Sequence, residues 1–323
     1  MHFKGLDLNL LVVLDALLVE RSTTRAGERL YLSQSATSGA LARLREYFGD
    51  PLLIRGPQNK MALTPLAESL AGPVRSMLSQ AETVLTSNAA FDPATSDRRF
   101  RLNMGDEVAT ALMPAVLERV RKTAPRVKVE ILSYNPTGDL APELAEVLEK
   151  GDLDFLIAPK AFASVHHPME LLLTEHFVCV AWAGNLQLGD TISEDQFYSM
   201  GHVATRLGPR TMHLAEEELT REFGEGRRVE VVAPNFGLKA TFLIGTDLIA
   251  TMQESLAHYC ARYLPLKVLP LPVYHAPVPI FIQWHRYQDH DPGTRWLLSI
   301  LKECASSIYR SQSNDKKPAA AKP

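Results

Sequence analysis

Two short helical patterns lie between Arg21 and Arg55, separated by a few residues, and the second sets an apolar arc against a polar one. At about 100° per residue, Ala36, Ala40, Leu41, Leu44 and Phe48 share one side, with Thr37 inside that arc. Gln34, Ser38 and Arg45 cluster on the other side, flanked by Ser35 and Ala42. Ser33 stands where its hydroxyl can satisfy a free backbone donor of the first turn. The preceding pattern places Ala26, Leu30 and Leu32 inward, and small Ala26 and Gly27 permit a close helix crossing. Two helices joined by a short turn form a helix-turn-helix, and the outward amides and hydroxyls of the second suit the DNA major groove. The same pattern would also serve two helices of an ordinary helical domain with a solvated polar face. The pattern alone does not choose between them.

Further along, Leu52-Leu53-Ile54 and Met61-Ala62-Leu63 are spaced to pair as short strands around Gly56-Pro57-Gln58-Asn59, a wing with Arg55 and Lys60 near its tip. Thr64-Pro65 starts a new helix with a cap and a first-turn proline. In it Leu70, Val74, Met77, Ala81 and Val84 recur as a coiled-coil seam, with a kink expected at Gly72-Pro73. Phe91 to Asp97 has turn formers and no apolar period, and reads as a hinge.

A βαβ rhythm follows. Strands are expected at 100–104, 127–131, 154–157, 177–181, 229–233, 248–250 and 279–284, and helices at 108–122, 139–149, 211–223, 254–262 and 293–308. Another strand-like stretch carries His202, Thr205 and Arg206.

Charge changes the picture slightly. Residues 1–64 hold eight Lys and Arg against six Asp and Glu, whereas the remainder holds 26 against 31. The surplus has the right sign for an N-terminal contact with nucleic acid. Of 323 residues, none forms part of an apolar run near the roughly 20 needed to span a bilayer, and Lys4 and Asp7 interrupt any secretory signal. No Gly-x-Ser-x-Gly elbow, phosphate-cradling Gly-x-x-x-x-Gly-Lys or His-Glu-x-x-His zinc pattern occurs, so no catalytic residue is expected. His213 with Glu217 and Glu254 with His258 are pairs four apart, too few for a metal, and no cofactor is expected. Cys179, Cys260 and Cys304 show no paired spacing and fit buried thiols in a reducing cytoplasm. The polar tail from Ser311 is expected to be disordered.

The first 90 residues resemble the N-terminal domain of the LysR-type transcriptional regulators. The likeness is carried by Gly5-Leu6-Asp7-Leu8-Asn9-Leu10-Leu11, Leu14-Asp15-Ala16-Leu17, Ala26, Arg29-Leu30, Ser33-Gln34, Ala36, Ser38, Leu44, Gly49, Leu52-Leu53, Arg55, Leu63-Thr64 and Ala67. Departures from the family at large are Arg45 for Glu, Ser35 for Pro, Ala67 for Gly, and a wing tip with fewer cations. The resemblance favours DNA binding, with Arg25, Ser33, Gln34, Ser35, Ser38, Ala42, Arg45 and Arg55 as the expected contacts. It implies a homodimer or homotetramer joined through the linker helix, acting on a double-stranded operator and on RNA polymerase. Phe3-Lys4-Gly5, Leu44-Arg45-Glu46-Tyr47-Phe48, Phe91-Asp92-Pro93, Ser199 to Val203, Ile249 to Met252, Gln283-Trp284, Asp291-Pro292 and Trp296 resemble the subgroup of nodulation and aromatic-compound-responsive regulators. That resemblance implies a small aromatic or related organic effector.

The fold class expected is a mainly α winged helix-turn-helix with a linker helix, followed by an α/β effector domain of two subdomains resembling periplasmic binding proteins. The divisions are 1–63, 64–90, 91–310 and a tail 311–323, with effector halves at 97–165 plus 271–310 and at 166–270. Ligands of open α/β sheets sit beyond the strand carboxyl ends, here between the halves. The effector candidates are Gly105 and Asp106 after the first strand, where Asp106 could cap its helix, together with Tyr134, Asn135, His176, His202, Thr205 and Arg206. Ser255 stands where the subgroup often has a ligand-facing Arg. The competing class is a solute-binding or enzymatic α/β protein whose N-terminal helices only dimerise.

Overall fold

A computed structural model describes residues 2–3, 6–55, 61–86, 91–132, 140–149, 151–205 and 227–315. These divide into two units, 1–90 with 146–152, and 91–145 with 153–323.

In the first unit, β1 (His2–Phe3) pairs antiparallel with β2 (Leu6–Asp7) ahead of α1 (Asn9–Glu20). That helix is apolar on most of its circumference, and Leu10, Leu11, Val13, Leu14, Ala16, Leu17 and Leu18 are buried. It forms the centre against which α2 (Thr23–Leu30) and α3 (Gln34–Phe48) pack. Ser22 caps α2, and the chain leaves that helix through left-handed Tyr31, φ 56°. Gly27 is required at the crossing, since a Cβ there would stand 2.9 Å from both the Leu32 carbonyl oxygen and Thr37 Oγ1. On α3, Thr37, Ala40, Leu41 and Leu44 are buried as the pattern predicts. Leu32 and Ala36, both expected inward, are exposed. The turn ending α2 carries Leu32 outward, and Ala36 falls at the edge of the arc beside the capped first turn.

The wing strands β3 (Leu53–Arg55) and β4 (Met61–Leu63) pair antiparallel, with Arg55 opposite Met61. Lys60 and the turn 56–59 lie outside the described residues. Thr64 caps α4 (Pro65–Thr86), accepting from the Ala67 N–H at 3.1 Å. The helix runs unbroken through exposed Pro73, where the carbonyl deprived of its donor can take water. The expected seam is only partly available. Val74 is buried and Leu70 half-buried in this unit's own core, while Met77 and Ala81 stay exposed. The Val84 side chain lies outside the description.

The second unit holds two five-stranded sheets. The first takes β5 (Arg99–Met104), β6 (Lys128–Leu132), β7 (Phe155–Pro159), β8 (Met169–Glu175) and β14 (Val278–Gln283) in the order β6-β5-β7-β14-β8. The second takes β9 (Phe177–Trp182), β10 (Gly201–Thr205), β11 (Arg228–Ala233), β12 (Ile249–Gln253) and β13 (Leu266–Pro270) in the order β11-β10-β12-β9-β13. Helices α5 (Asp106–Thr123), α7 (Glu194–Ser199), α8 (Phe236–Phe242), α9 (Glu254–Ala261) and α10 (Pro292–Asp315) accompany them, and α6 (Leu140–Glu149) has its last four residues in the first unit. The chain crosses between sheets twice, from β8 to β9 and from β13 to β14.

The sequence reading does not contain β13, α7 or α8, and three further features differ from it. The strand β8 joins the first sheet, so the crossing falls at His176 rather than at 166; its Met169-Glu170-Leu171 start has no clean alternation. Phe91 to Asp97 is tied to this unit. Phe91 packs against Trp296 and, edge-on, against Phe100, at ring centroid distances of 5.2 and 6.5 Å, and Asp92 accepts from Ala94 N–H and Thr95 Oγ1. Residues 311–315, expected to be disordered, continue α10; residues 316–323 and the helix expected at 211–223 lie outside the described residues.

Candidate nucleic-acid and effector sites

The outward side of α3 is a strip of small and amide-bearing side chains. Gln34, Ser35, Ser38 and Ala42 are all exposed, and neither Gln34 nor Ser38 makes a side-chain hydrogen bond among the described residues. Ser33 has its hydroxyl committed to the helix start, accepting from Ala36 N–H at 3.2 Å and lying 3.0 Å from Ser35 Oγ. Ser33 thus orients the strip more than it extends it.

Arg45 is exposed and is also tied to the loop before the wing. Its Nε donates to the Pro51 carbonyl at 2.8 Å and its guanidinium also reaches the Leu53 carbonyl at 3.1 Å. The same loop is held from the other side by Asp50, whose Oδ1 accepts from Leu52 N–H and Thr64 Oγ1, each at 2.7 Å. Leu52, 1% exposed, sits there at φ 56°, a strained conformation for a side chain of its size that these bonds over-determine. Arg45 therefore fixes the wing to α3. Arg25, at the start of α2, donates to the Glu20 carbonyl at 2.6 Å and remains largely exposed. Arg55 ends β3, exposed.

Two residues of the face escaped the sequence reading. Arg43 is exposed beside Ala42. Gly39 is mid-helix, where glycine costs about 1 kcal/mol relative to alanine, yet nothing lies within 4 Å of where its Cβ would be. No contact among the described residues asks for a glycine, and that unexplained weakness is the signal that could have found it.

In the second unit, β5 runs into α5 through Gly105, which starts the helix without a side-chain cap. Asp106 does not cap α5 as expected. It lies within the first turn, and its Oδ2 accepts from the Gly237 N–H at 2.9 Å, at the start of α8 on the other sheet's side. The residue thus bridges the halves. His176 is exposed at the crossing, with its carbonyl accepting from Glu254 N–H at 2.8 Å. His202 is moved out of the candidate set by the geometry. It is fully buried in β10, with Nε2 2.6 Å from the Phe197 carbonyl oxygen and its ring edge-on to Phe197. That contact fastens α7 to the sheet. Thr205 ends the parallel strand β10, 1% exposed, where ligands of such sheets collect. Tyr134, Asn135 and Arg206 lie outside the described residues.

The sequence reading passed over buried Glu107, Glu175, Lys239 and Thr251, which lie in a set with the buried Ser255 it had named. Lys239 is 2% exposed and donates to the Thr251 carbonyl at 3.1 Å. Isolated ions in such a place are costly, so their presence together is itself a signal, but one that sequence spacing does not carry.

Residues 8–68 match the family of bacterial regulatory helix-turn-helix proteins of the lysR family, and residues 94–305 match the LysR substrate binding domain. The chain belongs to the LysR family of transcriptional regulators. This regulator is 40% identical to nodulation protein D of Bradyrhizobium sp. (strain ANU 289), over 99% of the chain and 93% of that protein. It is 42% identical to nodulation protein D 1 of Mesorhizobium japonicum, over 95% of the chain and 96% of that protein. A crystal structure of a probable transcriptional regulator from Pseudomonas aeruginosa superposes with a TM-score of 0.66 at 26% identity, covering 93% of the chain and 97% of that one. Full-length CbnR complexed with its target DNA shares the fold, with a TM-score of 0.60 at 15% identity, over 94% of the chain and all of that one. The LysR regulator accordingly carries a DNA-binding helix-turn-helix and an effector-binding domain of two α/β halves. Among the described residues no helix is long and apolar enough to cross a membrane.

Proposed function

We propose that this regulator reads a double-stranded operator through the exposed side of α3, with Gln34, Ser35, Ser38 and Ala42 facing base edges. Arg25 and Arg55 answer backbone phosphates from either flank, Ser33 orients the first turn, and Arg45 acts through the wing it holds. The observation that carries the reading is that, among the described residues, Gln34 and Ser38 have no side-chain hydrogen-bond partner on a capped, well-packed helix. Amide and hydroxyl groups so presented match adenine and most other groove edges.

A small organic effector, aromatic by likeness to the relatives, binds between the halves near Gly105, Asp106, Tyr134, Asn135, His176, Thr205 and Arg206. Its binding shifts the relation of the halves and, through a homodimer or homotetramer joined by α4, the contact with RNA polymerase in the cytoplasm. The relatives' name makes nodulation genes the first operators to try. The experiment is a mobility-shift titration of the full chain on DNA upstream of such genes across a salt series. Binding whose logarithm falls linearly with the logarithm of salt supports the reading, and no retention at low salt on any such fragment refutes it.

A further inference from the structure

The chain crosses from the first half to the second immediately after Glu175, which pairs in register with Val278 on the returning strand. This hinge residue is 3% exposed. Its carboxyl forms a close hydrogen bond with Ser255 Oγ in the first turn of α9, which belongs to the second half. Next to it, the His176 carbonyl accepts from Glu254 N–H. On the first half, Glu107 of α5 is 7% exposed, and its carboxyl folds back over Gly105, where any Cβ would overlap it. Its Oε2 has no hydrogen-bond partner among the described residues. The charged groups facing Glu107 are Asp106 on its own helix, Glu175 at the hinge, and Lys239 of α8 from the second half. Those facing Glu175 are Glu107 and Glu254, the latter lying 3.8 Å from His258. Among the described residues, carboxyl groups thus outnumber the one ammonium, that of Lys239, in this buried junction, and they cannot all ionise there without repelling one another.

We propose that Glu107 and Glu175 form a proton-controlled latch between the two halves of the effector domain: joined when both carboxyls are protonated, loosened when both are ionised. The latch stands on the junction itself. Its regulatory consequence, an effector affinity that varies with pH, rests on the cleft reading given above.

Burial is the main cause that lifts both groups, Glu107 to about 8 and Glu175 to about 7, from the usual 4.5. For Glu107 its own backbone N–H offsets part of the rise, and so does Lys239, while Asp106 and Glu175 add to it. For Glu175 the Ser255 hydroxyl and N–H offset, and Glu254 adds. A joined state with raised carboxyl pKa values binds more protons than an opened, hydrated one. Its extra stability is therefore complete below 4.5 and is lost as pH rises through about 7 and about 8.

The test is hydrogen–deuterium exchange on the full chain without any effector, at about pH 6 and about pH 8.5, corrected for intrinsic exchange chemistry. Peptides covering 236–242 and 254–261 hold the amides that bind Asp106 and His176. They are expected to exchange on the order of tenfold faster at the higher pH, while α1 to α3 do not change. The Glu107→Gln/Glu175→Gln variant mimics the protonated pair and is expected to stay protected at both pH values. Where that double variant lacks native circular dichroism, Glu107→Gln alone is expected to reduce the pH effect. Equal protection of the parent at both pH values, or an undiminished pH effect in the glutamine variants, overturns the latch. No effector is present, so failure here leaves the cleft reading untouched. Failure of the cleft reading would show instead as effector protection away from both halves' junction.

Discussion

Arg45 Nε donates to the Pro51 carbonyl oxygen at 2.8 Å, joining the C-terminal part of α3 to the loop that launches the wing. Removing that guanidinium takes the side-chain donor from the Leu53 carbonyl, leaves the Pro51 carbonyl with the Leu53 N–H, and loosens the strained Leu52 turn. Arg45→Ala is expected to lower the stability of the N-terminal unit by about 1 kcal/mol, since the site is exposed and water replaces part of the loss. DNA affinity should fall by a similar factor on every sequence. Urea melts and titrations on operator and unrelated DNA check this; a change confined to one base position would mean that Arg45 reads bases after all.

Glycines 27 and 39 are expected to respond in opposite ways. Gly27→Ala forces a methyl group against the Leu32 carbonyl and Thr37 Oγ1, and should destabilise by about 1–3 kcal/mol. Gly39→Ala meets nothing and should stabilise by up to about 1 kcal/mol. Gly39→Leu should fold equally well yet bind operator at least about tenfold more weakly, because its bulk stands on the DNA side. Thermal melts and mobility shifts on the three variants separate packing from contact; unaltered operator affinity in Gly39→Leu would remove that part of α3 from the interface.

Most helices and most strands were legible because their apolar periods are clean and their ends are marked; α7 and α8, six and seven residues long, are too short to show a period. Ser33 and Thr64 cap where expected, and Thr37, Ala40, Leu41 and Leu44 turn inward as their spacing requires. What the sequence did not show is what depends on partners far along the chain. Arg45 looked free for DNA because Pro51 and Leu53 approach it only once the wing folds back. Asp106 looked like a cap for its own helix because its acceptor role is satisfied by Gly237 from the other half. His202 stands on a strand with no alternation, where burial on both faces hides which side a residue takes.

His202 should behave as a packing residue. His202→Leu leaves the Phe197 carbonyl without its 2.6 Å partner in a fully buried place, and is expected to cost about 1–3 kcal/mol. Effector response per folded molecule should be unchanged. Calorimetry together with a dose–response assay decides; a shifted dose–response with an unchanged melt would return His202 to the effector site.

Asp106→Ala removes the acceptor for the Gly237 N–H and should loosen the junction of the halves without weakening DNA binding. A loss of about 1–2 kcal/mol in effector-domain stability is expected. Proteolysis of the native protein followed by domain-resolved mass analysis reads it, and a parental digestion rate would show that this bond contributes nothing.

The three thiols are expected to resist modification. Burial pushes Cys179 up to about 12 and also raises Cys260 and Cys304, so little thiolate exists at neutral pH. Iodoacetamide should label none of them within minutes in the native protein and all of them in urea. Rapid native labelling of Cys179 would point to a redox role instead.

The most direct test of the account is a comparison of base discrimination by the parent and by Gln34→Ala/Ser38→Ala, using an operator and single-base variants of it, with folding verified by circular dichroism. The account predicts that the parent distinguishes them by about 1–3 kcal/mol at the contacted positions and that the double variant binds all of them nearly alike. A double variant that discriminates as sharply as the parent would show that this side of α3 does not read the DNA.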